Sequence, residues 1–332
     1  MIKSNKFFVK NLKQVVFIGY NPMLEKFINI NSKLGISSAI ITSTDQSKNI
    51  SQEHLIFDNV DKKLFEHISK NYDIDNTLFI SLGSRILFKK DLIDFLKNNL
   101  INFHGSRLPY DGGGGGFSWR IMREDRIDNQ LVHVIDEGVD TGQIIDNKLS
   151  LFPSSCKIPS DFENYRLKMF IKFYKEFIGN IKDGNEYDLK NQVDYLGRYS
   201  PRLSTVDNGY INWDYSSYEL ISFINAFDSP YAGAMTFLNR GKFGRLHIKS
   251  AHLHGGDSSN HPFMSGLVSR HDKDWIVVST INKHSLLIEE VIDSKGNNIL
   301  NKIVPGDRFF TPNKYLDEAK QKKVIYSSLG KK

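Results

Sequence analysis

A short apolar run, then an amphipathic stretch, then another apolar run: this alternation fills the first third of the chain and limits what it can fold into. Residues 14–20, QVVFIGY, read as a buried strand ending at a glycine. NPMLEKFINI follows with helical periodicity, with Asn21 placed to cap the helix and Pro22 at its first position. SSAIITST predicts a second strand, HLIFDN a shorter third, and residues 61–70 a helix. TLFISLGSR predicts another buried strand, KKDLIDFLKN an amphipathic helix and LINFHGS the next strand. Strands that alternate with helices build a parallel sheet covered on both faces. Ligands of such sheets bind outside the carboxyl ends of the strands. The first turn, GYNPML, lacks the second and third glycines that bring backbone against a pyrophosphate, which excludes a nicotinamide or flavin dinucleotide site.

One strand end carries chemistry. Asn102 and His104 are two residues apart in NNLINFHGS, so on an extended strand both point to one side. Asp140 follows another strand-like run, QLVHVID, within the small-residue loop DEGVDTG. An amide donor, a titratable ring and a carboxylate then converge, a combination suited to acyl transfer. The amide can donate to an oxyanion, and the ring can exchange protons near neutral pH. The carboxylate can orient the ring and accept a proton.

At these residues the chain resembles the folate-dependent formyltransferases. Their shared pattern is Asn-x-His-x-Ser-x-Leu-Pro with an Asp-Thr-Gly downstream, here Asn102, His104, Ser106, Leu108, Pro109, then Asp140, Thr141, Gly142. The resemblance implies catalytic roles for Asn102, His104 and Asp140. It also implies N10-formyltetrahydrofolate as formyl donor, held by Ser84, Leu87, Val139 and Asp140 and partly through backbone. For the acceptor it points to Ser106 and, in the glycine run 112–116, to Gly113 and Gly114. Trp119 is a further substrate candidate, although packing on the next helix explains a tryptophan there as well. Family members usually carry Arg-Gly after the proline, whereas this chain has Tyr110-Asp111-Gly112. The glycine run reads either as a flexible tip or as backbone brought close to phosphate or sugar oxygens.

The second half continues the resemblance. GYINWDYSSYELISFINAFDSPYAGAMTF looks like the family's segment after the catalytic domain, and short strand-like runs follow it: AMTFL, RLHIKSAHL, GLVSRH, WIVVST and SLLIEEV. Before it, residues 161–178 predict a helix with a buried stripe of Phe162, Tyr165, Met169, Phe173 and Phe177. The expected fold class is α/β: an N-terminal Rossmann-like parallel-sheet formyltransferase domain at 1–180, a linker at 181–209, a smaller C-terminal β-rich, open-barrel-like domain at 210–314, and a basic tail at 315–332.

DGGGGGFSW after the proline differs from the RGPAPIQW-like loop usual in methionyl-tRNA formyltransferases, and it looks more like members acting on nucleotide-linked amino sugars. The expected function is therefore a cytoplasmic sugar N-formyltransferase of surface polysaccharide (lipopolysaccharide O-antigen) biosynthesis. Methionyl-tRNA formylation is the alternative, with glycinamide ribonucleotide as a further acceptor and a non-catalytic folate- or nucleotide-binding module as the alternative of another class. The net charge of +6 is compatible with tRNA, but acidic residues are interspersed throughout, and the expectation is against tRNA as partner. The single cysteine, Cys156, excludes an internal disulfide. No stretch is long and apolar enough to span a membrane. His252, His254 and His261 read as a surface loop, so no metal is expected. The barrel-like domain offers a surface for a homodimer.

Overall fold

A computed structural model of the chain describes residues 5–114, 116–193, 197–256, 259–281, 283–324, 326–327 and 330–331. Its contacts divide into two units. The first comprises residues up to 112, 127–151 and 166–199; the second comprises 113–126, 152–165 and 200 onwards.

The first unit is built on seven strands: β1 (Gln14–Ile18), β2 (Ser37–Thr42), β3 (Leu55–Ile56), β4 (Thr77–Ser81), β5 (Leu100–His104), β6 (Ile127–Val134) and β7 (Ile144–Leu151). They lie in the order β3-β2-β1-β4-β5-β6-β7. The first five run parallel, as the alternation predicts, while β6 and β7 pair antiparallel to their neighbours. Parallel neighbours need a crossover, usually helical. Helices Leu24–Lys33, Lys62–Asn71 and Lys90–Leu96 lie between strands of the parallel part.

The first helix begins at Leu24, two residues beyond Pro22. Asn21 does not cap it; its Oδ1 accepts from the Met23 amide at 3.1 Å, an Asx turn that leads the chain into the helix. The next helix does have the expected type of cap, with Asp61 accepting from the Leu64 amide at 3.0 Å.

The period-two alternation of buried strands supplies both faces of the sheet. Val16, Ile18, Phe79 and Leu100 pack in one cluster, and Phe17, Ile80, Ile101 and Phe103 in the other. The long helix Pro159–Lys182 brings Phe170, Phe173, Tyr174, Phe177, Ile178 and Ile181 into the second of these clusters. Phe170 and Tyr174 therefore lie on the stripe, and Met169 is only partly buried. Phe162 and Tyr165 of the same helix pack instead in the core of the second unit. A helix of 24 residues that serves two cores need not keep one straight stripe.

Tyr174 stacks on Phe27 at 3.7 Å between centroids, and its hydroxyl donates to Asn31 Oδ1 at 2.7 Å. Full burial pushes the Tyr174 phenol far above its ordinary range, so it remains a donor.

In the second unit, β8 (Ala234–Leu238), β9 (Arg245–His254), β10 (Val268–His271), β11 (Ile276–Val278), β12 (Ser285–Ile292) and β13 (Phe309–Phe310) form one antiparallel sheet, ordered β10-β11-β12-β9-β8-β13. It curls as a half-barrel. The helix Ser217–Ala226 precedes it, closed by a capping box between Ser216 and Glu219. Tyr315, on the helix Asn313–Gln321, stacks on Tyr210 and on Phe237, each at 5.0 Å. No helix among the described residues is long and apolar enough to cross a membrane.

Candidate active site

Strand β5 reads Leu100-Ile101-Asn102-Phe103-His104. Ile101 and Phe103 enter one core cluster, and Leu100 enters the other. Asn102 and His104 continue the Leu100 face at the strand's carboxyl end. On one side of β5, Ser81 at the end of β4 is level with Asn102. On the other side His133 of β6 lies directly opposite Asn102. The loop after β4 therefore leaves level with Asn102, while the loop after the antiparallel β6 leaves beside the start of β5 and turns back, carrying Asp140 to within 3.7 Å of His104.

Asp140 comes from the loop after β6, held by its own side chains. Gly138 N–H and Thr141 Oγ1 donate to Asp136 Oδ1 at 3.1 and 2.7 Å. Gln192 Nε2 donates to the carbonyls of Asp140 at 2.9 Å and Gly142 at 2.7 Å. Asp140 itself sits at φ 59°, a left-handed conformation that costs a non-glycine residue energy and that the surrounding bonds impose. Gly142 has a different reason to be glycine: a Cβ there would stand 1.8 Å from the Val134 carbonyl oxygen.

These elements bring Asn102, His104 and Asp140 together, with His133 as a fourth member. His104 Nδ1 lies 3.7 Å from Asp140 Oδ1, and His133 Nε2 lies 3.8 Å from the same oxygen. Both are ion-pair distances rather than hydrogen bonds. Asn102 Nδ2 is 3.2 Å from His133 Nε2. Asp140 and His104 are partly open, at 35% and 24% side-chain exposure, whereas His133 is closed off at 3%. His133 is not singled out by the sequence pattern around Asn102 and His104. The available signal was its place in the run QLVHVID, which becomes informative only once β6 is known to pair with β5.

A buried ion pair stands behind this group. Arg166 donates to Asp128 Oδ1 from Nε at 2.9 Å and from Nη2 at 2.7 Å, and a Cβ on Gly105 would stand 2.9 Å from its Nη1.

Burial lowers the pKa of His104, and the Arg166 charge and any proton on His133 act in the same direction against the attraction of Asp140. Burial also lowers that of His133, against its bond to the Val134 carbonyl and the pull of Asp140 and Asp136. Burial thus favours the neutral form of both rings. Just below the ordinary histidine value of 6.5 the unfolded chain binds more protons than the folded one. Stability then falls as pH drops through 6.5 towards the lower folded-state values, and levels off beneath them. Thermal melting between pH 7.5 and about 5 should show this loss. The slope should be shallower in a His104→Asn, His133→Gln double variant, and an unchanged slope would assign the loss to other groups.

The remaining expected residues divide between the units. Ser84 Oγ accepts from the Ile86 amide at 3.0 Å, which shapes the loop after β4. Leu87 and Val139 are 76% and 84% exposed, one apolar side chain on the loop after β4 and one on the loop after β6. Ser106 is partly buried, and its carbonyl accepts from Asn129 Nδ2 at 3.4 Å.

Gly113, Gly114 and Trp119 belong to the second unit. Gly113 has φ 92°, and a Cβ on it would meet the Ser200 carbonyl at 2.1 Å. Gly114 N–H donates to that same carbonyl at 2.8 Å. The close approach at these glycines is thus to the chain's own backbone. Gly115 lies outside the described residues. Trp119 Nε1 donates to the Pro201 carbonyl at 2.7 Å, so its polar edge is engaged within the protein.

The ligand-capable atoms of His104, His133 and Asp140 lie within 4.8 Å of one another. A tetrahedral ion would need edges of about 3.3 Å, so binding one would require these atoms to draw closer together. Of the histidines expected in a surface loop, His252 and His254 instead end strand β9, paired in register with β12, and His252 meets Glu289 at 3.1 Å; His261 lies beyond the strand, its Nδ1 accepting from the Phe263 amide at 3.2 Å.

The parallel-rich α/β unit with Asn102, His104 and Asp140 gathered on it, and the curled β unit, are the two parts that known proteins share with this chain. Residues 204–302 match the family described as formyl transferase, C-terminal domain. The methionyl-tRNA formyltransferase of Ruminiclostridium cellulolyticum is 24% identical over 249 residues, 75% of this chain and 77% of that protein. Among solved structures, the sugar 3N-formyltransferase WlaRD superposes with TM-score 0.60 at 19% identity, over 84% of this chain and 98% of its own. The N-formyltransferase of Helicobacter canadensis gives TM-score 0.58 at 18% identity, over 84% and 99%. The matched C-terminal domain, the methionyl-tRNA formyltransferase relatives and the neighbours in fold together support a folate-dependent formyltransferase.

Proposed function

We propose that the protein transfers the formyl group of N10-formyltetrahydrofolate to the amine of a nucleotide-linked amino sugar, in the synthesis of a surface polysaccharide. The observation that carries the chemistry is the meeting of Asn102, His104 and Asp140 between the loops at 82–87 and 136–142. The amine lone pair attacks the formyl carbon, and Asn102 donates to the oxygen that gains charge. The amine gives up a proton to the His104–Asp140 pair as the C–N bond forms. Collapse expels folate N10, which takes a proton. The products are a formamide and tetrahydrofolate. Ser84, Leu87 and Val139 fit the donor, since exposed apolar side chains on two loops suit an aromatic pterin. Ser106, Gly113, Gly114 and Trp119 are proposed on the acceptor side.

The sugar acceptor draws support from two neighbours in fold. WlaRD was crystallised with dTDP and 5-N-formyl-THF, and the Helicobacter canadensis enzyme with folinic acid and dTDP-3-aminofucose. A second reading, formylation of methionyl-tRNA, is favoured by the sequence relatives. Mass spectrometry after incubation with N10-formyltetrahydrofolate separates the two. One added formyl group on a nucleotide-linked amino sugar is the expected result. Addition only to charged initiator tRNA, with affinity falling steeply as salt rises, would overturn it.

A further inference from the structure

Asn102 and His133 face each other across the antiparallel β5–β6 pair, the closest cross-strand relationship a sheet offers. His133 Nδ1 is 2.8 Å from the Val134 carbonyl oxygen. A carbonyl only accepts, so in the neutral ring Nδ1 carries the hydrogen and Nε2 presents its lone pair. That lone pair points at Asn102, 3.2 Å away, where only the amide NH2 is attractive and the amide oxygen would be repelled. We infer that His133 is a positioning residue, which sets the Asn102 amide so that one N–H is held and the other is presented to the reacting formyl oxygen. The inference rests on the proposed role of Asn102 as oxyanion donor.

Two features of the surroundings serve this arrangement. The β6–β7 register shifts between Val132 and His133, an irregularity of the kind that re-aims a side chain beside a functional site. Val134 is also fixed at its N–H, with room left for its carbonyl. Its N–H donates to the Gln143 carbonyl at 2.9 Å, and Gly142 leaves its oxygen room. The loop that delivers Asp140 thereby also supports the carbonyl that decides which His133 nitrogen carries the hydrogen. With 3% of its side chain exposed, His133 acts through Asn102 and not on the substrate.

A double-mutant cycle tests this. His133→Leu should lower kcat about tenfold or more, up to the ~10²–10³ that loss of an oxyanion donor costs, with the KM for the formyl donor little changed. His133→Gln, which retains an accepting oxygen, should recover most of the rate. In an Asn102→Ala background His133→Leu should have almost no further effect, because the group it positions is gone. His133→Met fills similar volume and repeats the comparison should the leucine variant not fold. A full loss on top of Asn102→Ala would overturn the inference and make His133 an independent contributor; so would unchanged kcat in His133→Leu. If Asn102→Ala itself keeps full kcat, it is the proposed role of Asn102 that fails.

Discussion

Asn102→Ala is expected to lower kcat by about 10²–10³, with the fold and the affinity for the folate retained. The side chain is partly buried and makes one cross-strand hydrogen bond, so truncation removes little packing. In the proposed mechanism it removes a donor to charge that exists only in the transition state, and such an interaction registers in kcat rather than in ground-state binding. His104→Ala should cost a comparable ~10²–10⁴ by withdrawing the proton-transfer group. The double variant should fall far short of the product of the two, since residues acting as a unit are not additive. Single-turnover formylation combined with titration of a formylfolate analogue supplies both readings. A variant lacking both side chains that still turns over near the wild-type rate would remove the proposed mechanism. Unchanged ligand affinity with no detectable turnover in the wild type would favour the binding-module alternative.

Phe103→Ala should destabilise the first unit by about 3–5 kcal/mol. Phe103 is the residue between Asn102 and His104, and its ring packs against Phe27, Phe173, Tyr174 and Phe177 at 5.4–5.9 Å between centroids. Alanine leaves a cavity inside a close-packed aromatic cluster that cannot collapse around it. The melting transition of that unit should fall by on the order of 10 °C. Activity should fall at temperatures well below melting too, because a β5 that is free to shift moves both flanking polar residues together. Leu149→Ala on edge strand β7, where the side chain is 59% exposed, is the control and should change stability by under about 0.5 kcal/mol. Equal effects at the two positions would show that the aromatic cluster does not hold the strand.

Much of this protein is readable residue by residue. The alternation of apolar runs with amphipathic stretches specifies strand–helix units, because burial at period two and at 3.6 residues is a local property of the chain. The same-side projection of Asn102 and His104 follows from that period. Asp61 and the Ser216–Glu219 box are caps because their side chains reach amides only three residues away. Local reading fails where a distant partner decides. Asn21 and Pro22 resemble a helix start, yet the helix waits until Leu24. Met169 has the spacing of a buried residue, yet Phe170 and Tyr174 occupy the core, since the facing surface is Phe27, Phe103 and the sheet.

The proposed catalytic group divides along the same line. The types of side chain, and the small residues in the loop that carries Asp140, belong to the sequence itself. That β6 returns antiparallel beside β5 is a property of the folded whole, and with it come His133 opposite Asn102 and Arg166 locked on Asp128. Strand register is set by the summed burial of every side chain on both faces, and a shift of one residue would reverse them all. No window of sequence contains that sum, so the fourth member of the site appears only in the tertiary structure.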